Sequence, residues 1–337
     1  MAAIATPVLS QASQLRPLNI VRDLPSVADL VEKCFADTMD AEGRNYIQQM
    51  RRAGQDNVFL RWASTAVDTV SMPLSGYVWE ERGEIIGNVS LIPYRHSRKK
   101  YYLIANVAVR PEDRRRGIGR SLTIAAMQHA RQRHADETWL HVRADNPGAI
   151  ELYSSLGFIE MARRTSWQAI PDRNVDSDNL GTLITSRNAR DWPSQKDWLD
   201  RLYPDLLTWY QPMPWMSLRP GLLPMLYRIF SDIDIRHWVA RTDDTCKAVL
   251  SWQATIGKND CLWAAAPPEG GDRDLTALLL HARRVLAWRQ KLSLDFPAGQ
   301  YNASIEASGF RANRTLLWMK SNEALDETLV DEKRKSS

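Results

Sequence analysis

Residues 101–167 read YYLIANVAVRPEDRRRGIGRSLTIAAMQHARQRHADETWLHVRADNPGAIELYSSLGFIEMARRTSW, and the order of elements in this stretch decides the fold. The apolar, β-prone run Tyr101 to Val109 predicts a strand that stops at Arg110-Pro111, because proline has no N–H to give to a ladder. A basic loop follows, RRRGIG from Arg114 to Gly119. Leu122, Ala125, Ala126, His129 and Ala130 then recur at helical spacing. A strand, a glycine loop and a helix N-terminus aim several backbone N–H groups, and the positive end of the helix dipole, at one anion. Gly117 and Gly119, on either side of Ile118, let the backbone approach a phosphate with no Cβ in the way. Arg114, Arg115, Arg116 and Arg120 add mobile positive charge. The residues by themselves describe a pyrophosphate cradle.

Two common cradles do not fit. A Walker A loop ends in Gly-Lys-Ser/Thr, and this one ends in Gly-Arg-Ser. A dinucleotide fingerprint needs a third glycine, which is absent. Over its full length the stretch resembles the GNAT superfamily of acyl-CoA-dependent N-acetyltransferases. That family's loop pattern, Arg/Gln-x-x-Gly-x-Gly/Ala, is met by Arg114, Gly117 and Gly119, and its splayed V-x-V strand by Val107-Ala108-Val109. Its later strand, Asn, Tyr-bearing helix and Gly-Phe are matched by Trp139 to Arg143, Asn146, Tyr153 and Gly157-Phe158. The segment WLHVRADNPGAIELYSSLGF is similar in particular to the ribosomal-protein N-terminal acetyltransferases of this superfamily.

The resemblance implies an α/β fold built on a mixed, mostly antiparallel sheet flanked by helices. It also implies acetyl-CoA as acyl donor and direct attack of a free amine on the thioester. A backbone N–H within Val107, Ala108 and Val109 would then polarise the acetyl carbonyl, and Tyr153 would protonate the departing sulfur. Tyr153 lies seven residues past Asn146, about 700° of helical rotation, so the two share a helix face. A core tyrosine is the other reading of Tyr153. Asn146-Pro147 is a helix start, and Asn146 either contacts the pantetheine arm or only caps the helix. The family's ribosomal-protein members carry a glutamate base where this chain has His141. Strand alternation puts His141 on one face with Trp139 and Arg143. A histidine, with an ordinary pKa of about 6.5, can take a proton directly or through water, or it can be merely structural. Glu80, Glu81 and His96 are the fallback bases.

Working outward, the residues before about Arg16 read as a flexible leader, and Leu18 to Arg22 as a short strand. A helix is expected from Asp23-Leu-Pro-Ser, with Val27, Leu30, Val31 and Phe35 on one face, and another over Glu42 to Ala53. Val58 to Val70 is ambiguous between strand and helix. Tyr77–Glu80 and Ile85–Pro93 form a hairpin about Glu81-Arg-Gly-Glu84, and a basic turn over Tyr94–Lys100 leads into the cradle strand. The second half repeats this grammar. A hairpin about TDDTCK is followed by a strand over Asp260–Ala266, the helix LTALLLHARRVLAW, a strand over Leu292–Phe296 and SGFRANRTLLW. Where the first copy has DRRRGIGR the second has GGDRD, and the tyrosine position falls near Ile305 or Glu306. The copy is therefore expected to be a degenerate GNAT-like unit.

The expected organisation is an acetyl-CoA-binding domain over 15–170 and an aromatic, proline-rich connection over 171–220. A degenerate domain follows over 221–321, with a flexible tail over 322–337. Trp192, Trp198, Trp209 and Trp215 in the connection read as interdomain packing or as a wall of the acceptor site. This layout resembles two-domain members of the superfamily, mycothiol synthase among them.

Composition bounds the rest. The chain has 337 residues, 44% hydrophobic and 25% charged, with a net charge of +4, too slight to argue for nucleic acid or membrane. Cys34, Cys246 and Cys261 show no CxxC spacing and read as reduced thiols of a cytoplasmic protein. The six histidines show no HxH or HExxH grouping, so no metal is expected. Neither a signal peptide nor an 18-residue apolar span is legible. The expected acceptor is an amine of a small molecule or peptide, and the protein a monomer or homodimer. An acyl-CoA-binding regulator without turnover is the alternative.

Overall fold

The computed structural model describes residues 14–39, 41–53, 74–175, 181–231, 234–254 and 259–322. The leader, the Val58–Val70 stretch and most of the tail lie outside them. Contacts divide the chain into two units that interleave in sequence. Unit 1 comprises 1–142, 147–161 and 318–337, and unit 2 comprises 143–146 and 162–317.

Unit 1 begins with β1 (Leu15–Pro17), α1 (Ile20–Phe35) and α2 (Ala41–Ala53). The strand expected over Leu18–Arg22 is β1 instead, and the helix starts before Asp23. Pro17 ends the ladder, and the Asn19 side chain caps α1 by accepting from the N–H groups of Val21 (3.1 Å) and Arg22 (3.3 Å). The β-branched pair Ile20-Val21 suggests a strand on propensity, but a cap followed by an apolar face outweighs it. Leu24, Val27, Leu30 and Val31 are buried against Val78 and Ala108, each side chain withdrawn from water favouring the fold by about 1.5–3 kcal/mol.

β2 (Ser75–Glu81), β3 (Glu84–His96) and β4 (Lys99–Val109) form an antiparallel meander. Its turn residues Arg82-Gly83 and Ser97-Arg98 all have positive φ, the signature of two-residue type I′ hairpins. α3 (Ile118–Gln132) follows the glycine loop, then β5 (Glu137–Arg143), α4 (Pro147–Ser155) and β6 (Phe158–Ala169). The sheet order in unit 1 is β1-β2-β3-β4-β5, with β4 and β5 parallel. Gly87 of β3 lets α3 approach, since a Cβ there would lie 3.0 Å from both Ile118 and Leu122 side chains.

Unit 2 contains β7 (Leu183–Ser186), α5 (Trp192–Leu202), α6 (Trp215–Leu218), α7 (Leu222–Phe230), β8 (Ile235–Thr242), β9 (Thr245–Gln253) and β10 (Asp260–Ala265). It ends with α8 (Asp272–Val285), β11 (Leu292–Pro297), α9 (Asn302–Ala307) and β12 (Arg311–Ser321). Here the order is β6-β11-β10-β9-β8-β7, with β10 and β11 parallel. Hairpin, strand, helix, strand, helix, strand thus occurs twice along the chain. The aromatic stretch after β6 folds as part of unit 2, where Trp192, Trp198 and Trp215 pack against Leu199, Met213, Leu218 and Trp263. The exchange is visible in the strands as well: Phe158–Met161 of β6 and Trp318–Ser321 of β12 belong to unit 1, the remainder of both to unit 2.

Candidate active site

β4 and β5 pair only from Tyr101↔Glu137 to Ile104↔Leu140. Beyond Ile104, β4 has no strand partner on its β5 side among the described residues, so Val107, Ala108 and Val109 lie along an opening between two parallel strands. On the other side β4 bulges. Asn88 pairs Ala108 and Ser90 pairs Ala105, which sets Asn106 and Val107 opposite Val89 alone. Asn106 takes φ +51°, a left-handed conformation that asparagine tolerates better than most residues.

The bulge is held by side chains that the sequence reading did not single out. Asn88, fully buried, donates through Nδ2 to the Asn106 carbonyl at 3.1 Å and to Ser90 Oγ at 3.4 Å. Asn106 Nδ2 donates to the same Ser90 Oγ at 3.4 Å. The signal available was Asn106 itself, a polar residue out of phase in an apolar strand. Removing Asn88 should loosen the bulge. Asn88→Ala is expected to cost about 1–3 kcal/mol and to reduce activity, whereas Asn106→Gly, which keeps the backbone conformation, should stay near wild-type stability. Thermal unfolding of the two variants checks this; an Asn88→Ala protein as stable and active as wild type would dismiss the network.

The glycine loop is built as a turn with open space. Pro111–Asp113 form one 3-10 turn, Arg115 and Gly117 take φ +64° and +79°, and Gly117 caps α3. Among the described residues, chain neighbours aside, a Cβ on Gly117 would meet nothing within 4 Å, and one on Gly119 would touch only Leu152 (3.6 Å) and Val109 (3.7 Å). The first N–H groups of α3, from Ile118 onward, have no intrahelical acceptor.

The four loop arginines are not equivalent. Arg116 is held by Asp113 (2.5 Å) and Glu81 (2.7 Å). Asp113 also takes Arg110 at 2.5 Å, and this pairing with Arg110 and then Arg116 keeps its carboxyl below the usual range. Arg116 therefore braces the loop. Arg114, Arg115 and Arg120 have no carboxylate partner among the described residues: Arg114 Nε donates to the Val109 carbonyl at 3.2 Å, and Arg120 donates to Ser155 Oγ at 2.9 Å.

Tyr153 projects from α4 with its ring buried and edge-on to Phe158, centroids 6.2 Å apart. Its hydroxyl makes no hydrogen bond among the described residues, and burial raises its pKa well above the ordinary value. His141 is the first residue of β5 past the ladder with β4. It is half-buried, with its ring 4.9 Å from that of Trp318, a residue from the far end of the chain. Glu80 accepts from Arg16 (2.7 Å) and Arg22 (2.8 Å), Glu81 from Trp79 (3.0 Å) and Arg116 (2.7 Å). Those hydrogen bonds, from Arg16 first for Glu80 and from Trp79 first for Glu81, lower both carboxyls, which makes them poor proton acceptors. His96 stands at the β3–β4 turn. Asn146 is exposed immediately before Pro147 and belongs to the short segment 143–146 that clusters with unit 2.

Residues 36–158 match the family described as the acetyltransferase (GNAT) family. Unit 1 carries a GNAT acetyltransferase domain. The GNAT stretch is 39% identical over 72 residues to the [ribosomal protein bS18]-alanine N-acetyltransferase of Escherichia coli K12, covering 21% of this chain and 49% of that protein. A mycothiol acetyltransferase from Thermobispora bispora is 28% identical over 158 residues, 46% of this chain and 49% of that protein. The chain thus spans about half the length of these curated relatives. Among solved structures, a GCN5-related N-acetyltransferase from Sphaerobacter thermophilus superposes with a TM-score of 0.52 at 13% identity, over 91% of this chain and 95% of that one. That likeness establishes the fold across both units.

The second copy has no counterpart of the DRRRGIGR loop of the first. Gly271 precedes α8, where Asp272 and Asp274 put negative charge into the first turn. Tyr301 donates to the Pro267 carbonyl, and a Cβ on Gly271 would lie 2.8 Å from the Tyr301 hydroxyl. Gly157 and Gly309 both take positive φ ahead of a phenylalanine. Counting back from them aligns Tyr153 with Ile305, fully buried.

Proposed function

We propose that the protein is an acetyl-CoA-dependent N-acetyltransferase that transfers the acetyl group directly to an amine of a small molecule or peptide. The observation that carries the reading is the separation of β4 from β5 after Ile104 and Leu140, with the glycine loop at the end of one strand and His141 at the mouth of the other. The loop N–H groups with Arg114, Arg115 and Arg120 would hold the pyrophosphate, and a main-chain N–H in Val107–Val109 the acetyl oxygen. In this reading His141 accepts the amine proton and Tyr153 donates to the leaving sulfur, so the nitrogen–carbon bond forms as the carbon–sulfur bond breaks. Similarity to proteins named a mycothiol acetyltransferase and a [ribosomal protein bS18]-alanine N-acetyltransferase supports an acceptor of either kind. Cytoplasmic residence belongs to the proposal too, supported by three free thiols. Among the described residues no helix is long and apolar enough to cross a membrane.

Acetyl-CoA consumption with and without a mixed amine library tests the activity. Turnover that depends on amine supports transfer, and binding with no turnover against any amine would leave only a regulatory role. The base has its own test. kcat/KM is expected to rise with pH along a limb that disappears in His141→Ala, and the variant should regain much of its rate at high pH, where the amine is already neutral. An unchanged profile in a folded His141→Ala protein would remove His141 from the mechanism, since Glu80 and Glu81 are already engaged.

A further inference from the structure

Unit 2 contains two guanidinium groups with no carboxylate partner among the described residues, set over a buried polar floor. Arg187, just past β7, donates through Nη1 to Gln195 Oε1 at 2.7 Å and to the Leu218 carbonyl at 2.6 Å. Arg228, on α7, donates to the neighbouring Ser217 carbonyl at 3.3 Å. The two arginines therefore rest on adjacent carbonyls of α6. Gln195, Ser217, Leu218 and Ser251 beneath them are buried. Neither arginine has an ion-pair partner among the described residues. Asp191, whose charge acts on Arg187, is committed to Arg241 at 2.6 Å and to the Asn188 N–H at 2.7 Å.

His237 completes the cluster. Its main-chain carbonyl accepts from the Arg187 N–H at 3.3 Å, and its Nδ1 lies 2.8 Å from Ser251 Oγ. Gln195 Nε2 donates to that same Oγ at 3.0 Å, which leaves the Ser251 proton available for Nδ1; we assign the tautomer that uses it, with the imidazole hydrogen on Nε2. Yet Nε2 is buried with no hydrogen-bond partner among the described residues. Burial first, then the charges of Arg187 and Arg228, push the imidazole down to about 3, so the ring is a neutral donor. The same repulsion, after burial, lowers Arg187 to about 10. Unpaired like charges and an orphaned donor in a half-buried setting are unfavourable unless an anion satisfies them.

We propose that Arg187, Arg228 and the His237 Nε2–H form a binding site for a phosphoryl dianion, a phosphate monoester or inorganic phosphate. Two uncompensated guanidinium forks balance two negative charges, and three sets of donors match an oxyanion with three free oxygens. A single carboxylate would leave one charge unbalanced. The glycine loop of unit 1 shares no residue with this site, so the inference does not depend on the catalytic reading.

The test is titration of the full-length protein with inorganic phosphate at constant ionic strength, read through the His237 ring resonances, which the unit 1 loop does not report. Phosphate should move them saturably and acetate should not. Arg228→Gln, which removes one fork held by a single long bond, should weaken the response about tenfold or more, and Arg228→Lys should fall between. His237 resonances indifferent to phosphate would overturn the proposal. So would an equal response to acetate, or an Arg228→Gln protein that is folded and binds phosphate as wild type does.

Discussion

Tyr153→Phe is expected to lower kcat about 10²- to 10⁴-fold while leaving acetyl-CoA affinity and melting temperature close to wild type. The structure separates the two roles open to this residue. The ring is core: it is buried and edge-on to Phe158, and phenylalanine preserves that contact. The hydroxyl contributes no hydrogen bond to the fold among the described residues, so its removal should cost little stability. A Tyr153 that served only packing would therefore be replaced by Phe without consequence. Burial raises the phenol pKa, which keeps the proton on at any working pH but weakens the acid. In the proposed reaction a thiolate leaving beside it would be penalised by the same loss of solvent, so donor and acceptor would rise together and transfer would remain feasible. Single-turnover rates with a good amine acceptor measure the effect. A Phe variant with half the wild-type rate would return Tyr153 to packing alone.

The elements of unit 1 were legible because they rest on local signals. Pro111 ends β4, the glycines mark the loop, and helical spacing from Leu122 marks α3. The hairpins were legible from their turn residues, although Ser97-Arg98 and Asp243-Asp244 place them more tightly than the polar runs suggested. Three things were not legible, each because the cause lies far away in sequence. Arg116 reads as one basic residue among four until Glu81, on β2, and Asp113 close on it. His141 reads as a lone strand histidine until Trp318 arrives from β12. Because β12 begins in unit 2 and ends in unit 1, a linear division of the chain assigns that tryptophan to the second copy. The bulge depends on Asn88 recognising the Asn106 carbonyl across a hairpin, a pairing that periodicity cannot express. The same limit hid Arg187, Arg228 and His237, which come from three elements and share a floor only after folding.

Gly117→Val should abolish acetyl-CoA binding, a loss of about a hundredfold or more, equivalent to about 2.7 kcal/mol. Two effects contribute, and they can be separated. Gly117 has φ +79°, where a β-branched residue costs about 1–3 kcal/mol, so the variant should melt earlier. The larger effect is on the ligand. Apart from its own chain neighbours, no atom of the described residues lies within 4 Å of the position its Cβ would take, so the new side chain enters open space, which in the proposed reading the pyrophosphate fills. Gly117→Asn isolates this second effect, because asparagine adopts the left-handed conformation at lower cost. It should melt near wild type and still bind poorly. Calorimetric titration of the wild-type protein should find one site per chain, because the corresponding position in unit 2 is filled by Tyr301 and faced by Asp272. Two equivalent sites would contradict that account of unit 2. A Gly117→Asn protein that bound acetyl-CoA as tightly as wild type would show that the loop backbone does not lie against the pyrophosphate.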